Sequence, residues 1–269
     1  MTRPITFLSD YGLADEFAGV VHAVIARIAP DARVIDLSHG IGRQDVLGGA
    51  LVLARALPYA PAGVHLAVVD PEVGARRRAI ALRTAEEDRL LVGPDNGLLL
   101  GAAERFGGVL EVVEISASPW RLEPVSATFH GRDLFAPVTA RLAAGAELAE
   151  AGVPLEPAEL VRLELPAAAI EPGALQTLVT GTDGFGNVIL GAVADDLAAA
   201  GLRLGQPIVV RVESRRVPGV IARTFADVAE RGLLVYEDAG GALAVAVNGG
   251  HAAGLLGVRP GATLRLEAP

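Results

Sequence analysis

The chain has 269 residues, 51% hydrophobic and 20% charged, with 23 basic and 32 acidic groups for a formal net charge of −9. That is long enough for about two domains, apolar enough to exclude disorder as the main state, and too acidic for a general nucleic-acid binder, every basic residue being arginine. Cysteine is absent, which excludes disulfides, thiolate nucleophiles and cysteine-held metal and leaves catalysis to oxygen and nitrogen groups. In chain order, apolar runs at 5–8, 34–37, 64–69, 79–82, 90–92 and 109–115 read as strands. Helical patterns at 16–28, 46–57, 97–106 and 134–143 alternate with them. This alternation predicts an N-terminal α/β domain with a mostly parallel sheet over residues 1–160. Prolines 154, 157, 166 and 172 mark 152–172 as the linker region. Beyond it, short runs at 175–180, 208–212, 233–236, 243–247 and 263–266, separated by glycine turns, predict a smaller antiparallel β domain over 161–269. The N-terminal residues lack the apolar core of a signal peptide, and Asn248, His251 and several glycines interrupt the longest uncharged stretch, so a cytoplasmic protein without membrane contact is expected.

Ligands of open α/β sheets bind beyond the carboxyl ends of strands, so polar residues there come first. Three segments qualify: Ser9-Asp10-Tyr11-Gly12, Asp36-Leu37-Ser38-His39-Gly40 and Val69-Asp70-Pro71-Glu72-Val73-Gly74. Each is either a turn whose carboxylate caps backbone amides or a binding element. Asp10 suits a vicinal diol, since one carboxylate accepts from two hydroxyls, whereas Asp15 reads as a helix N-cap. Arg76-Arg77-Arg78 reads as a solvated loop face unless one of the three folds back over the strand ends. His130, in Thr128-Phe129-His130-Gly131-Arg132-Asp133, precedes a helix, where a neutral ring is favoured.

In the second domain, Asp183-Gly184-Phe185-Gly186-Asn187 is either a glycine-rich hairpin turn or an aromatic platform for a purine with an amide at its edge. Asn248-Gly249-Gly250-His251 forms a second turn able to add backbone groups beside it. The dinucleotide fingerprint, the P-loop, the zincin helix and the serine-hydrolase elbow are all missing from the sequence.

Taken in order, these segments, together with Gly93-Pro94-Asp95-Asn96-Gly97 and Phe185-Gly186-Asn187, resemble the S-adenosylmethionine hydrolases. That family is also called the SAM hydroxide adenosyltransferases, and its relatives include the bacterial fluorinase and chlorinase. The resemblance implies a trimer, with active sites between one subunit's N-terminal domain and a neighbour's C-terminal domain. It implies a catalytic set of Asp70, Arg77 and His130, ribose binding by Asp10, and contacts to the rest of the substrate from Asp183, Phe185, Asn187, Phe225 and Gly249. The implied substrate is S-adenosyl-L-methionine and the implied products are adenosine and L-methionine. Where relatives offer a serine toward the methionine carboxylate, this chain reads Tyr236-Glu237-Asp238-Ala239-Gly240-Gly241.

Attack of oxygen at ribose C5′ expels a neutral thioether from a sulfonium, so the leaving group needs no general acid, and no metal or cofactor is expected. Two alternatives stay open: a halide-using enzyme of the same fold, and a non-catalytic nucleoside-binding protein.

Overall fold

The computed structural model describes residues 2–269 and divides the chain into two compact units, Met1–Leu163 and Glu164–Pro269. The first unit contains β1 (Ile5–Ser9), α1 (Phe17–Ile28), β2 (Val34–Ser38), α2 (Val46–Ala56), β3 (Val64–Val68), β4 (Ala79–Thr84), β5 (Leu90–Pro94), α3 (Leu100–Glu104), β6 (Val109–Glu114), α4 (Ala136–Ala143) and β7 (Val153–Leu155). Its seven strands follow the order β2-β1-β3-β5-β4-β6-β7. Strands β2, β1, β3 and β5 are mutually parallel, and only β4 and β7 run against the rest. The inner strands are apolar along their whole length because both faces are covered. Ile5, Phe7 and Leu66 pack toward α1 and α4 through Val21, Ile25 and Val138, while Leu8, Ala67 and Val69 pack toward α2 and α3 through Leu53 and Ala103. Apolar residues of α1 recur every three or four positions, at Ala18, Val21 and Ile25, which gives the helix one buried stripe. His65 is buried within β3, with Thr6 Oγ1 2.9 Å from its Nδ1 and Arg89 3.2 Å from its Nε2. Burial, reinforced by the Arg89 charge, lowers its pKa to about 3, so it is a neutral core residue.

Two expectations need correction in this unit. The stretch expected as linker contributes an edge strand, β7, on which Pro154 is tolerated. Residues up to Leu163 are tied to this unit: the Val161 N–H donates to Asp95 Oδ1 at 2.9 Å and Leu163 packs over Gly97, whose φ of +89° suits glycine. Asp15 is not an N-cap. Helix α1 begins one residue later, behind Glu16, and has no side-chain cap.

The second unit contains β8 (Ala169–Glu171), β9 (Ala174–Thr182), β10 (Val188–Leu190), α5 (Ala194–Ala199), β11 (Pro207–Val212), β12 (Arg215–Ile221), β13 (Leu233–Glu237), β14 (Leu243–Val247), α6 (Ala252–Leu256) and β15 (Thr263–Glu267). The order β10-β14-β13-β12-β11-β15-β9-β8, with β10 pairing back onto β9, closes the sheet like a barrel. All pairings are antiparallel except β12 with β13. Leu175, Val188, Val210, Val245 and Leu264 fill its interior. Among the described residues no helix is long and apolar enough to cross a membrane.

Candidate active site

Helix α1 leads from β1 to β2 on one side, and α2 carries the chain past β1 to β3 on the other, so the sheet's switch point lies between the ends of β1 and β3. Asp10 follows β1, and its Oδ2 accepts from the Gln44 N–H at 2.9 Å. Asp70 stands two residues past β3, where the Asn96 amide beyond β5 ties down the Val69 carbonyl at 2.9 Å.

The loop after Asp70 turns at Gly74, with φ +75°. A Cβ there would overlap the Ala127 carbonyl, so glycine permits the segment before His130 to lie against the Asp70 loop. Arg77 Nε donates to both Asp70 oxygens at 2.9 and 3.0 Å, its Nη2 donates to Asp70 Oδ2, and the same Nη2 meets His130 Nδ1 at 2.8 Å. Side-chain exposure is 4% for Arg77 and 6% for Asp70, so this is a buried charge pair. The Arg77 guanidinium also lies 5.3 Å from the centre of the Phe135 ring. The other two arginines part from it. Arg76 is exposed, and Arg78 binds Asp95 at 2.8 Å and Glu159 at 3.3 Å.

A guanidinium only donates, so His130 Nδ1 accepts and the proton of the neutral ring sits on Nε2. Burial holds the His130 pKa below its ordinary value, and the Arg77 charge adds to this against weaker opposition from Asp70 and Asp133. His130 precedes a π-helical turn, Gly131–Phe135, that leads into α4. Asp133 anchors that turn by accepting from the Ser126 N–H at 2.8 Å and from Arg132 Nε at 2.6 Å.

Because the fold favours neutral His130, the unfolded chain takes up this proton first as pH falls. The ring's contribution to stability is therefore fully present above about pH 6.5 and is lost as pH drops through the lowered folded value. A proton on Nδ1 would also break the bond from Arg77. We expect the acid limb of the kcat/KM profile to lie below pH 6.5, and a limb at or above that value would contradict the geometry.

Tyr11 joins this centre, although the sequence reading gave it no role. Its ring meets Phe129 edge-on at 5.8 Å, Phe129 meets Phe17 at 5.0 Å, and the hydroxyl lies where a Cβ on Gly131 would fall. Burial, Asp10 and Asp70 raise the phenol's pKa well above its ordinary value, against Arg77, so it remains a protonated donor. The available signal was the placement of Tyr11 and Phe129 inside polar motifs of a chain with only 4% aromatic residues.

In the second unit, Asp183 spends its carboxylate on its own turn. Oδ1 accepts from the Phe185 and Asn187 N–H groups, both at 2.9 Å, and Oδ2 accepts from the Asn187 side-chain amide at 2.8 Å. The result is a fixed turn that presents Phe185 with 82% of its surface exposed. Gly186 has φ +84°, and a Cβ there would strike the His251 ring. The Ala253 N–H donates to its carbonyl at 2.9 Å, which brings the 248–251 turn alongside. Gly249 is exposed in that turn with φ +65°. Phe225 packs against Tyr236 at 5.3 Å. Burial raises the Tyr236 pKa, and the Asp183 and Asp238 charges raise it further, so its phenol belongs to the same neighbourhood as the Asp183 turn.

A buried carboxylate and guanidinium beside a half-buried imidazole near a sheet switch point, and a separate barrel-like unit with a stapled aromatic turn, define a two-unit α/β protein. Residues 5–152 match the SAM hydroxide adenosyltransferase N-terminal domain and residues 178–265 the SAM hydroxide adenosyltransferase C-terminal domain, and the chain belongs to this family. It is 54% identical over 264 residues to an (R)-S-adenosyl-L-methionine hydrolase of Salinispora tropica, covering 98% of this chain and 97% of that protein. A fluorinase of Actinopolyspora mzabensis is more distant, at 29% identity over 98% of this chain and 97% of its own. The crystal structure of an uncharacterized conserved protein from Thermotoga maritima superposes with a TM-score of 0.89 at 37% identity, covering 97% of this chain and 99% of that one.

Proposed function

We propose that the chain hydrolyses S-adenosyl-L-methionine to adenosine and L-methionine by attack of water or hydroxide at ribose C5′. The observation that carries this reading is the Asp70–Arg77–His130 set. A fixed guanidinium and an imidazole N–H at Nε2 favour an anionic oxygen, and Asp70 balances the arginine. His130 in this tautomer orients and stabilises the nucleophile; it does not deprotonate it. The oxygen forms a bond to C5′, the C5′–S bond breaks, its electron pair returns to sulfur, and one proton goes to solvent. Hydrolases in the family share the reading by name, and they stand nearer this chain than the fluorinases do.

In this reading Asp10 holds the ribose hydroxyls. Phe185 stacks on the adenine, Asn187 and the Gly249 turn supply polar contacts, Asp183 fixes the platform, and the Phe225–Tyr236 pair flanks it. These second-unit residues come from a neighbouring subunit of a homotrimer, which light scattering tests directly. Replacing Phe185 with alanine removes a stacking surface of about 1–3 kcal/mol, so KM should rise roughly tenfold with kcat nearly unchanged. A kcat loss at constant KM would contradict the assignment. Incubation with S-adenosyl-L-methionine, followed by chromatography for equal amounts of adenosine and methionine, tests the function. Tight nucleoside binding without turnover would identify a binding protein instead.

A further inference from the structure

We infer that His22, Asp36 and His39 form a binding site for one divalent transition-metal ion of the zinc class. His22 lies on α1, Asp36 on β2 and His39 directly after it. Asp36 Oδ1 is 2.8 Å from His22 Nε2 and 3.1 Å from His39 Nε2, and the three donor atoms all lie within 4.8 Å of one another. Among the described residues this is the one such grouping of histidine and carboxylate donors.

A carboxylate bridging two imidazoles accounts for His22 but not for His39. The His39 side chain is only 3% exposed, and its Nε2, although 3.1 Å from Asp36 Oδ1, is not aligned with it for a hydrogen bond and has no other partner. Leaving such an atom unpaired is costly. Its other nitrogen, Nδ1, is 2.7 Å from Ser9 Oγ. With Nδ1–H donating to that hydroxyl, Nε2 carries a lone pair directed toward Asp36 and His22. This is the arrangement of a metal-ligating histidine, whose second nitrogen is held by an acceptor behind it. The Phe7 ring packs against both imidazoles, 4.6 Å from His39 and 6.0 Å from His22, which limits their rotation.

Two imidazoles and one carboxylate suit zinc, cobalt or nickel rather than magnesium or calcium, which prefer oxygen donors. Tetrahedral bonds of zinc length put donors about 3.3 Å apart, so the two Asp36–imidazole distances, 2.8 and 3.1 Å, fall short of that spacing by only a few tenths of an ångström. Half-exposed His22 and Asp36 leave a side from which ion and water can enter. The site would be structural. Ser9 ends β1, and the Gly12 N–H donates to the His39 carbonyl at 2.7 Å, so an ion on His39 would stiffen the turn that carries Asp10 and Tyr11.

The test is calorimetric titration of tag-free, chelator-stripped protein with zinc chloride, alongside His22→Ala and Asp36→Asn. One ion per chain is expected, with affinity at least tenfold weaker in each variant. Zinc should also raise the melting temperature of the unmodified protein more than that of either variant. Absence of binding at millimolar zinc, or unchanged affinity in both variants, would overturn the inference.

Discussion

Replacing Arg77 with alanine is expected to lower adenosine formation by roughly 10²-fold or more, with a larger loss of stability than alanine at His130. Arg77 is the one residue bonded to both partners, through Nε and Nη2 to Asp70 and through Nη2 to His130. Its removal leaves a carboxylate with 6% exposure and no counter-charge, a change that typically costs about 3–5 kcal/mol. It also frees His130 Nδ1, so the ring loses the contact that keeps its proton on Nε2. Alanine at Asp70 or at His130 should likewise reduce the rate by roughly 10²-fold or more while adenosine binding persists, because in the proposed reading these groups act on the nucleophile and not on the nucleoside. Single-turnover rates and thermal melting separate the two effects, and near-normal hydrolysis by both of those alanine variants would refute the assignment.

No appreciable 5′-chloro-5′-deoxyadenosine should form even in excess chloride. A sulfonium substrate has a good leaving group, so any nucleophile delivered in line reacts, and selectivity rests on which nucleophile the pocket tolerates. A halide needs a dry pocket of hydroxyl and amide donors to replace its hydration shell, and an adjacent carboxylate repels it. Asp70 supplies that charge, and Arg77 is already engaged in balancing it. In the proposed reading a water keeps partners here, accepting from His130 Nε2–H and retaining its own protons for other contacts. Product analysis across a chloride series checks this, and chlorinated nucleoside as the main product would show that Asp70 does not govern the choice.

Much of the first unit was legible because its strands are buried on both faces and therefore stand out as apolar runs, as at Ile5, Phe7 and Leu8. Elements whose local chemistry resembles a turn were not. Strand β12 contains Pro218 and Gly219, β10 spans only Val188–Leu190, and the short helix α6 contains Gly254, so each depends on pairing or packing rather than on pattern. Asp10 and Asp70 of the candidate polar centre were legible through strand-end position, and His130 through its place before a helix. Residue chemistry alone left open which arginine of 76–78 turns inward; the family resemblance pointed to Arg77, and its inward turn follows from the Gly74 turn and its approach to Ala127. The hydrogen bond that fixes the His130 tautomer and the Tyr11 hydroxyl against Gly131 are likewise long-range consequences of folding, with no local sequence signal.

The most direct test is a single incubation of purified protein with S-adenosyl-L-methionine in ¹⁸O-labelled water, read by mass spectrometry. Attack at C5′ predicts one ¹⁸O in the 5′-hydroxyl of adenosine and none in methionine. Label in homoserine with release of methylthioadenosine, or adenosine that carries no label, would contradict the mechanism.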